Sequence, residues 1–240
     1  MRILITNDDG INAPGIRTLA EWARGLGEVT VIAPKVEQSG KSHAIIFTRA
    51  LEIKRVDFME GVRAYSMDST PADCIRFAAF GLKERFDLVL SGINRGFNLG
   101  KDIVYSGTAG AIFEAARLGI PAIAFSTHPE NFDAAAKYLD RAYKFITENG
   151  LFELSKLYNV NIPEGEGKIR ITRQGGIYFH DDFDYLGNDM WQPTGYIINE
   201  NEGNSEYDTD AVRDGFISIT PLLGDRTNMP VYEKIKDLCK

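Results

Sequence analysis

Apolar residues fall along this chain in short β-branched runs separated by segments of helical period. The first run, residues 2–6, ends in the polar cluster Asn7-Asp8-Asp9-Gly10. Pro14 then opens a segment whose apolar positions Ile16, Leu19, Ala20, Ala23 and Leu26 recur at helical spacing. Residues 28–33 repeat the strand pattern and stop at Pro34. Strand, helix and strand in this order predict parallel pairing, because the crossover helix returns the chain to start its neighbour in the same direction. The expected fold class is α/β: a Rossmann-like, mainly parallel sheet with helices on both faces.

The pattern continues with short strands at 44–48, 51–54 and 62–66 and a turn near Glu60-Gly61. A helix is predicted through residue 80, with Thr70 as N-cap and Pro71 in its first position. Residues 86–90 form a buried strand that runs into the glycine-rich stretch 91–100. An alanine-rich helix at 107–118 ends at Gly119, followed by a strand at 121–125 and an amphipathic helix at 133–147. Beyond it only 168–172 and 216–220 read as strands. Residues 174–214 are polar, aromatic and acidic without helical period, and read as a projecting β-rich arm within one domain spanning 1–240. Its aromatics, Tyr178, Phe179, Phe183, Tyr185, Trp191 and Tyr196, suit either a subunit contact or a small self-packed subdomain.

Composition narrows the partners. A chain of 240 residues, 44% hydrophobic, has enough apolar material for one substantial core. A net charge of −7 argues against a surface that coats nucleic acid, which must be broadly basic, and leaves room for a small anion in a local pocket. No apolar run approaches the roughly 18 residues that cross a bilayer, and the first residues enter a strand directly, so a cytoplasmic protein without membrane attachment is expected. Cys74 and Cys239 show no metal or redox spacing and read as two reduced thiols.

In parallel sheets, ligands bind beyond the carboxyl ends of the strands, so the loops there are where chemistry is sought. The first carries Asp8 and Asp9, adjacent carboxylates that repel unless a cation joins them; an Asx-type turn before Gly10 is the plainer alternative. The second, Gln38-Ser39-Gly40-Lys41-Ser42, resembles the end of a P-loop but has Lys35 where that motif needs glycine. The third, 91–100, offers the carboxamides of Asn94 and Asn98 to a hard cation. Ser106, Gly107 and Thr108 open a helix whose free N–H groups and dipole favour an anion. Together these describe a metal ion beside a phosphate.

Other classes fail on motif. No G-x-G-x-x-G follows the first strand, as a dinucleotide site requires. An aspartyl-phosphate phosphatase separates its two aspartates by one residue, and here they are adjacent. A phosphoryl receiver needs an aspartate after the middle strand, where this chain has Ser91. His43, His128 and His180 lack paired-ligand spacing and read as surface or structural residues; Gln38, Lys41 and Arg95 read either as phosphate contacts or as solvated side chains.

The ordered set Ile5-Thr6-Asn7-Asp8-Asp9-Gly10, Ala13-Pro14-Gly15, Gln38-Ser39-Gly40, Thr70-Pro71-Ala72-Asp73-Cys74, Ser91-Gly92-Ile93-Asn94, Asn98-Leu99-Gly100, Tyr105-Ser106-Gly107-Thr108 and Gly215-Phe216-Ile217-Ser218-Ile219-Thr220-Pro221-Leu222 resembles the SurE family of survival-protein nucleotidases. The resemblance implies a 5′-nucleotidase that releases phosphate from nucleoside monophosphates with one Mg2+ or Mn2+ per subunit. It also implies Asp8, Asp9, Ser39 and Asn94 as metal ligands. Asp8, Asp9 and Asn94 are the catalytic candidates, and Asn98, Ser106, Gly107 and Thr108 the substrate-binding ones. Family members dimerise through exchanged carboxyl-terminal segments, so a homodimer or homotetramer built through the last third is expected, with no stable nucleic-acid complex. The attacking group, water or an aspartate, is left open, as are 3′-monophosphates and short polyphosphate as further substrates.

Overall fold

A computed structural model describes residues 1–198 and 203–238. Cys239, expected as a reduced thiol, lies outside the described residues. The chain opens with β1 (Arg2–Thr6), α1 (Pro14–Ala23) and β2 (Glu28–Pro34), then β3 (Ile53–Met59), β4 (Val62–Met67) and α2 (Pro71–Arg76), which passes into a π-turn at Phe77–Gly81. β5 (Leu88–Arg95), a 3-10 turn at Gly100–Tyr105, α3 (Gly107–Arg117), β6 (Ala122–Thr127), α4 (Asp133–Glu148), α5 (Leu151–Leu154), β7 (Leu157–Ile162) and β8 (Ile169–Ile171) follow. The last elements are β9 (Phe179–Gly187), β10 (Met190–Ile197), α6 (Asp208–Arg213), β11 (Ile217–Leu222) and α7 (Met229–Ile235).

The main sheet runs β3-β4-β2-β1-β5-β6-β7-β11-β8. Its pairs are parallel except β3 with β4 and β7 with β11, so the expected α/β class with a mainly parallel sheet is the one observed. Strand alternation sorts the core. Ile3 and Ile5 face α1 and α4 with Leu19, Tyr138 and Leu139, while Leu4 faces α2 and α3 with Ile75 and Ile112. Cys74 is buried in this second layer, where loss of solvent chiefly pushes its thiol well above the usual range. No helix among the described residues is long and apolar enough to cross a membrane.

Several elements depart from the pattern reading. Residues 44–48 are not a strand: Ile46 N–H is bound at 2.8 Å by Asp73 Oδ2, and Thr70 Oγ1 donates to the Ala44 carbonyl at 2.7 Å, so side chains rather than a neighbouring strand satisfy this backbone. The strand expected at 51–54 begins at Ile53 and runs to Met59. β5 continues through the supposed glycine loop to Arg95. Gly92 makes this possible, since at φ +127° a Cβ there would lie 2.3 Å from the Phe125 carbonyl oxygen of β6. β7 is an additional central strand.

Among the described residues of 174–214 only β9 and β10 form the antiparallel projection, closed at Asn188-Asp189, both at positive φ (52° and 60°) as a two-residue hairpin turn demands. α6, in the same stretch, is instead buried against the main sheet through Ala211 and Val212.

Candidate active site

β1 ends by turning on Asn7, not on the aspartates. Asn7 Nδ2 donates to the Gly10 carbonyl at 3.0 Å and Asn7 Oδ1 accepts the Gly10 N–H at 3.2 Å, which leaves both following carboxylates for other partners. Asp8 is buried and reaches the start of α3, where Thr108 gives it both its hydroxyl and, at 3.2 Å, its N–H. Gly107 is required beside it, because a Cβ there would stand 2.9 Å from Asp8 Cβ and Oδ2. Asp9 is half-buried and accepts the Arg95 N–H at 3.1 Å.

These contacts gather the other candidates. Gln38 N–H donates to the Asp8 carbonyl at 2.7 Å, drawing the Ser39 loop to the end of β1. Ser39 Oγ–H donates to Glu37 at 2.7 Å, so the hydroxyl oxygen keeps its lone pairs for another partner. Asn94, at the end of β5 one residue before the Arg95 amide held by Asp9, donates its carboxamide N–H to the Gly96 carbonyl at 2.7 Å. Asn98 donates a carboxamide N–H to Ser126 Oγ at 2.8 Å. Of the four expected ligand residues, Asp8 and Asp9 form the turn, and Ser39 on its loop and Asn94 at the end of β5 each lie one residue from a group hydrogen-bonded to it.

Burial sets the electrostatics of the two carboxyls. Burial, aided by Asp9 and opposed by Thr108, lifts the Asp8 carboxyl from an ordinary 3.8 to about 6. Asp9 is also lifted, first by burial and further by Glu37, against the Arg95 N–H and guanidinium. No group of three or more histidine, cysteine, aspartate or glutamate side chains suited to a metal occurs among the described residues. Two carboxylates, a hydroxyl and a carboxamide are instead an all-oxygen set that suits a hard cation retaining waters or ligand oxygens.

The phosphate candidates differ in what they already hold. Thr108, expected as an anion donor, is buried and directs both its N–H and its hydroxyl to the Asp8 carboxylate. Ser106 Oγ caps α3 by accepting the Ala109 N–H at 3.0 Å, and its own O–H remains available to donate. His43 is structural, its Nε2 lying 2.9 Å from Glu114 Oε2. Glu37 and Phe132 escaped the sequence reading, yet with Asp9, Ala13, Pro14 and Arg95 they line a cleft of about 160 Å3 beside the carboxylates. Only the position of Glu37, next to the Gln38-Ser39 loop, hinted at it.

Fold and loops thus define an α/β protein with a paired-carboxylate site at the carboxyl ends of its parallel strands. The chain belongs to the SurE family: residues 3–181 match the family described as survival protein SurE. The 5′-nucleotidase SurE of Christiangramia forsetii is 39% identical over 251 residues, covering 98% of this chain and 95% of the relative. The 5′-nucleotidase SurE 1 of Thermus thermophilus is 40% identical, covering 99% of this chain and 98% of the relative. The crystal structure of the SurE protein from Aquifex aeolicus matches with a TM-score of 0.83 at 37% identity, covering 100% of both chains.

Proposed function

We infer that this chain is a divalent-cation-dependent phosphatase that hydrolyses nucleoside 5′-monophosphates to nucleoside and inorganic phosphate. The observation that carries this reading is the meeting of Asp8 with the amino end of α3, with Asp9 beside it in the same turn, which puts two carboxyls lifted by burial next to a helix start that favours anions. The names of the relatives from C. forsetii and T. thermophilus support the nucleotide substrate. Asp8, Asp9, Ser39 and Asn94 would hold one Mg2+ or Mn2+. When bound, that ion supplies charge neutralisation at the phosphoryl oxygens and acidifies a water. The Gly107 N–H and the Ser106 hydroxyl hold phosphate oxygens, joined by the second carboxamide N–H of Asn98. Asp9 is the proton acceptor: among the described residues its carboxylate takes one hydrogen bond, from the Arg95 N–H. Nucleoside 3′-monophosphates and short polyphosphate present the same terminal phosphoryl group and are further substrates of this reading.

The test is phosphate release from a panel of nucleoside 5′- and 3′-monophosphates and polyphosphate, using protein stripped with EDTA and given Mg2+, Mn2+ or neither. Release restored by metal and absent from Asp9→Asn is the expected result. A folded wild-type protein that releases no phosphate with either metal overturns the reading.

The same proposal includes a homodimer or homotetramer joined through the carboxyl-terminal third. Phe183, Tyr185, Trp191 and Tyr196 are 58%, 57%, 58% and 62% exposed on the β9–β10 hairpin, an apolar load that favours a partner surface. Sedimentation of a Tyr185→Asp/Trp191→Asp variant should show a smaller species than wild type. A wild type that already sediments as a monomer contradicts it.

A further inference from the structure

β7 carries two carboxamides inside the sheet, Asn159 between Ala124 and Thr220 and Asn161 between Ser126 and Ser218 on the adjacent strands. Tyr158, Val160 and Ile162 face the α1/α4 core, whereas Leu157 faces the α2/α3 layer and shares its side of the strand with Asn159 and Asn161. Both asparagines are fully buried. Asparagine is disfavoured in strands, and a buried carboxamide is costly unless it is hydrogen-bonded; both groups of Asn161 and the Asn159 N–H have partners, whereas Asn159 Oδ1 has none among the described residues.

Those partners are on one residue. Asn161 Oδ1 accepts the Asn98 N–H at 2.9 Å while Asn161 Nδ2 donates to the Asn98 carbonyl at 3.0 Å, so a side chain grips both polar groups of a single main-chain residue. Asn159 Nδ2 donates to the same carbonyl at 2.8 Å, and Ser126 Oγ on β6 accepts from the Asn98 carboxamide at 2.8 Å. Ser126 and Asn161 pair in register across β6 and β7, and Ser126 pairs in turn with Asn94 on β5. One polar row at the carboxyl ends of three adjacent strands thus runs from Asn94 to the anchor of Asn98.

We propose that Asn161 is a positioning residue for the phosphatase reaction: by clamping the main chain of Asn98 it fixes the carboxamide that meets the substrate phosphate. The proposal rests on the phosphatase reading and on the role that reading gives Asn98. Asn161 itself touches no substrate; its effect is relayed through Asn98.

A double-mutant cycle separates this from general support of the fold. With Mg2+ present and a nucleoside 5′-monophosphate as substrate, Asn98→Ala and Asn161→Ala should each lower kcat/KM by about tenfold, the loss of one well-placed hydrogen bond. The double variant should fall no further than Asn98→Ala alone. Losses that multiply in the double variant, wild-type kcat/KM in Asn161→Ala, or wild-type kcat/KM in Asn98→Ala each overturn the proposal. If Asn161→Ala shows no cooperative melt, Asn161→Ser carries the same cycle with the same expected and overturning results. Phosphate release by wild type in the same assay shows that the phosphatase reading survives even where the positioning role does not.

Discussion

Asp8→Asn is expected to lower phosphate release by about 10^3-fold, the several kcal/mol that a bound cation contributes at a phosphoryl group, and at the same time to raise the melting temperature of the cation-free protein. The two effects have one origin. Asp8 is 4% exposed, and its carboxyl is lifted from 3.8 to about 6, chiefly by burial and against the hydrogen bonds from Thr108. Because the folded value exceeds the unfolded one, the ionised group opposes folding. The penalty is fully present above about pH 6 and is relieved as pH falls through about 6 towards 3.8. A displacement of this size is worth about 3 kcal/mol. Asparagine keeps the shape, accepting the Thr108 N–H with its oxygen and donating to the Thr108 hydroxyl with its amide. Melts in EDTA at pH 8 and pH 5 check it: wild type should gain on acidification, and the variant should exceed wild type at pH 8 by several degrees. Equal melting temperatures at pH 8 would show that Asp8 carries no such strain.

Asp208→Ala should cost about 4 kcal/mol of stability, because it strips acceptors from several buried backbone donors at once. Asp208 is fully buried and accepts N–H groups from Gly100 at 3.0 and 3.2 Å, from Gly175 at 2.8 Å and from Thr209 at 2.9 Å. Three segments meet on this carboxylate: the loop that leads to Ser106, the root of the hairpin and the start of α6. Burial lifts its carboxyl above the ordinary range despite those donors, so removing the charge offsets part of the loss. Urea unfolding with an unchanged slope and a lowered midpoint is the expected readout. A loss below about 1 kcal/mol would mean that the freed N–H groups find water instead.

What the chain displays in one dimension is its local chemistry. β1-α1-β2 was legible from period alone, and the Thr70-Pro71 start is a cap that acts within its own turn, with Asp73 N–H donating to Thr70 Oγ1 at 3.2 Å. Asp8 and Asp9 stood out because adjacent carboxylates imply repulsion wherever they are placed. The failures required knowledge of a distant partner. Ile45, Ile46, Phe47 and Thr48 have strand-like side chains, but no sheet edge lies alongside, and Phe47 is 79% exposed. β7 was hidden by the two asparagines that serve Asn98. Thr108 looked like a phosphate donor because its sequence neighbourhood is a helix start, and only the fold brings it, one hundred residues along, onto Asp8.

Beside the Tyr178 ring under Arg213 and the Gln174 carboxamide on the Gly100 carbonyl, the hairpin's root offers mainly its main chain. Asp102 Oδ2 accepts the N–H groups of Tyr178 at 2.8 Å and Phe179 at 2.7 Å, the Gly176 carbonyl receives Lys101 N–H at 2.9 Å, and Asp208 holds Gly175. None of these bonds depends on which side chains follow, and the family match ends at Asp181, just inside β9. Substitutions on the exposed faces of β9 and β10 therefore leave these root hydrogen bonds in place, so the ribbon's surface and its seating are set by different atoms.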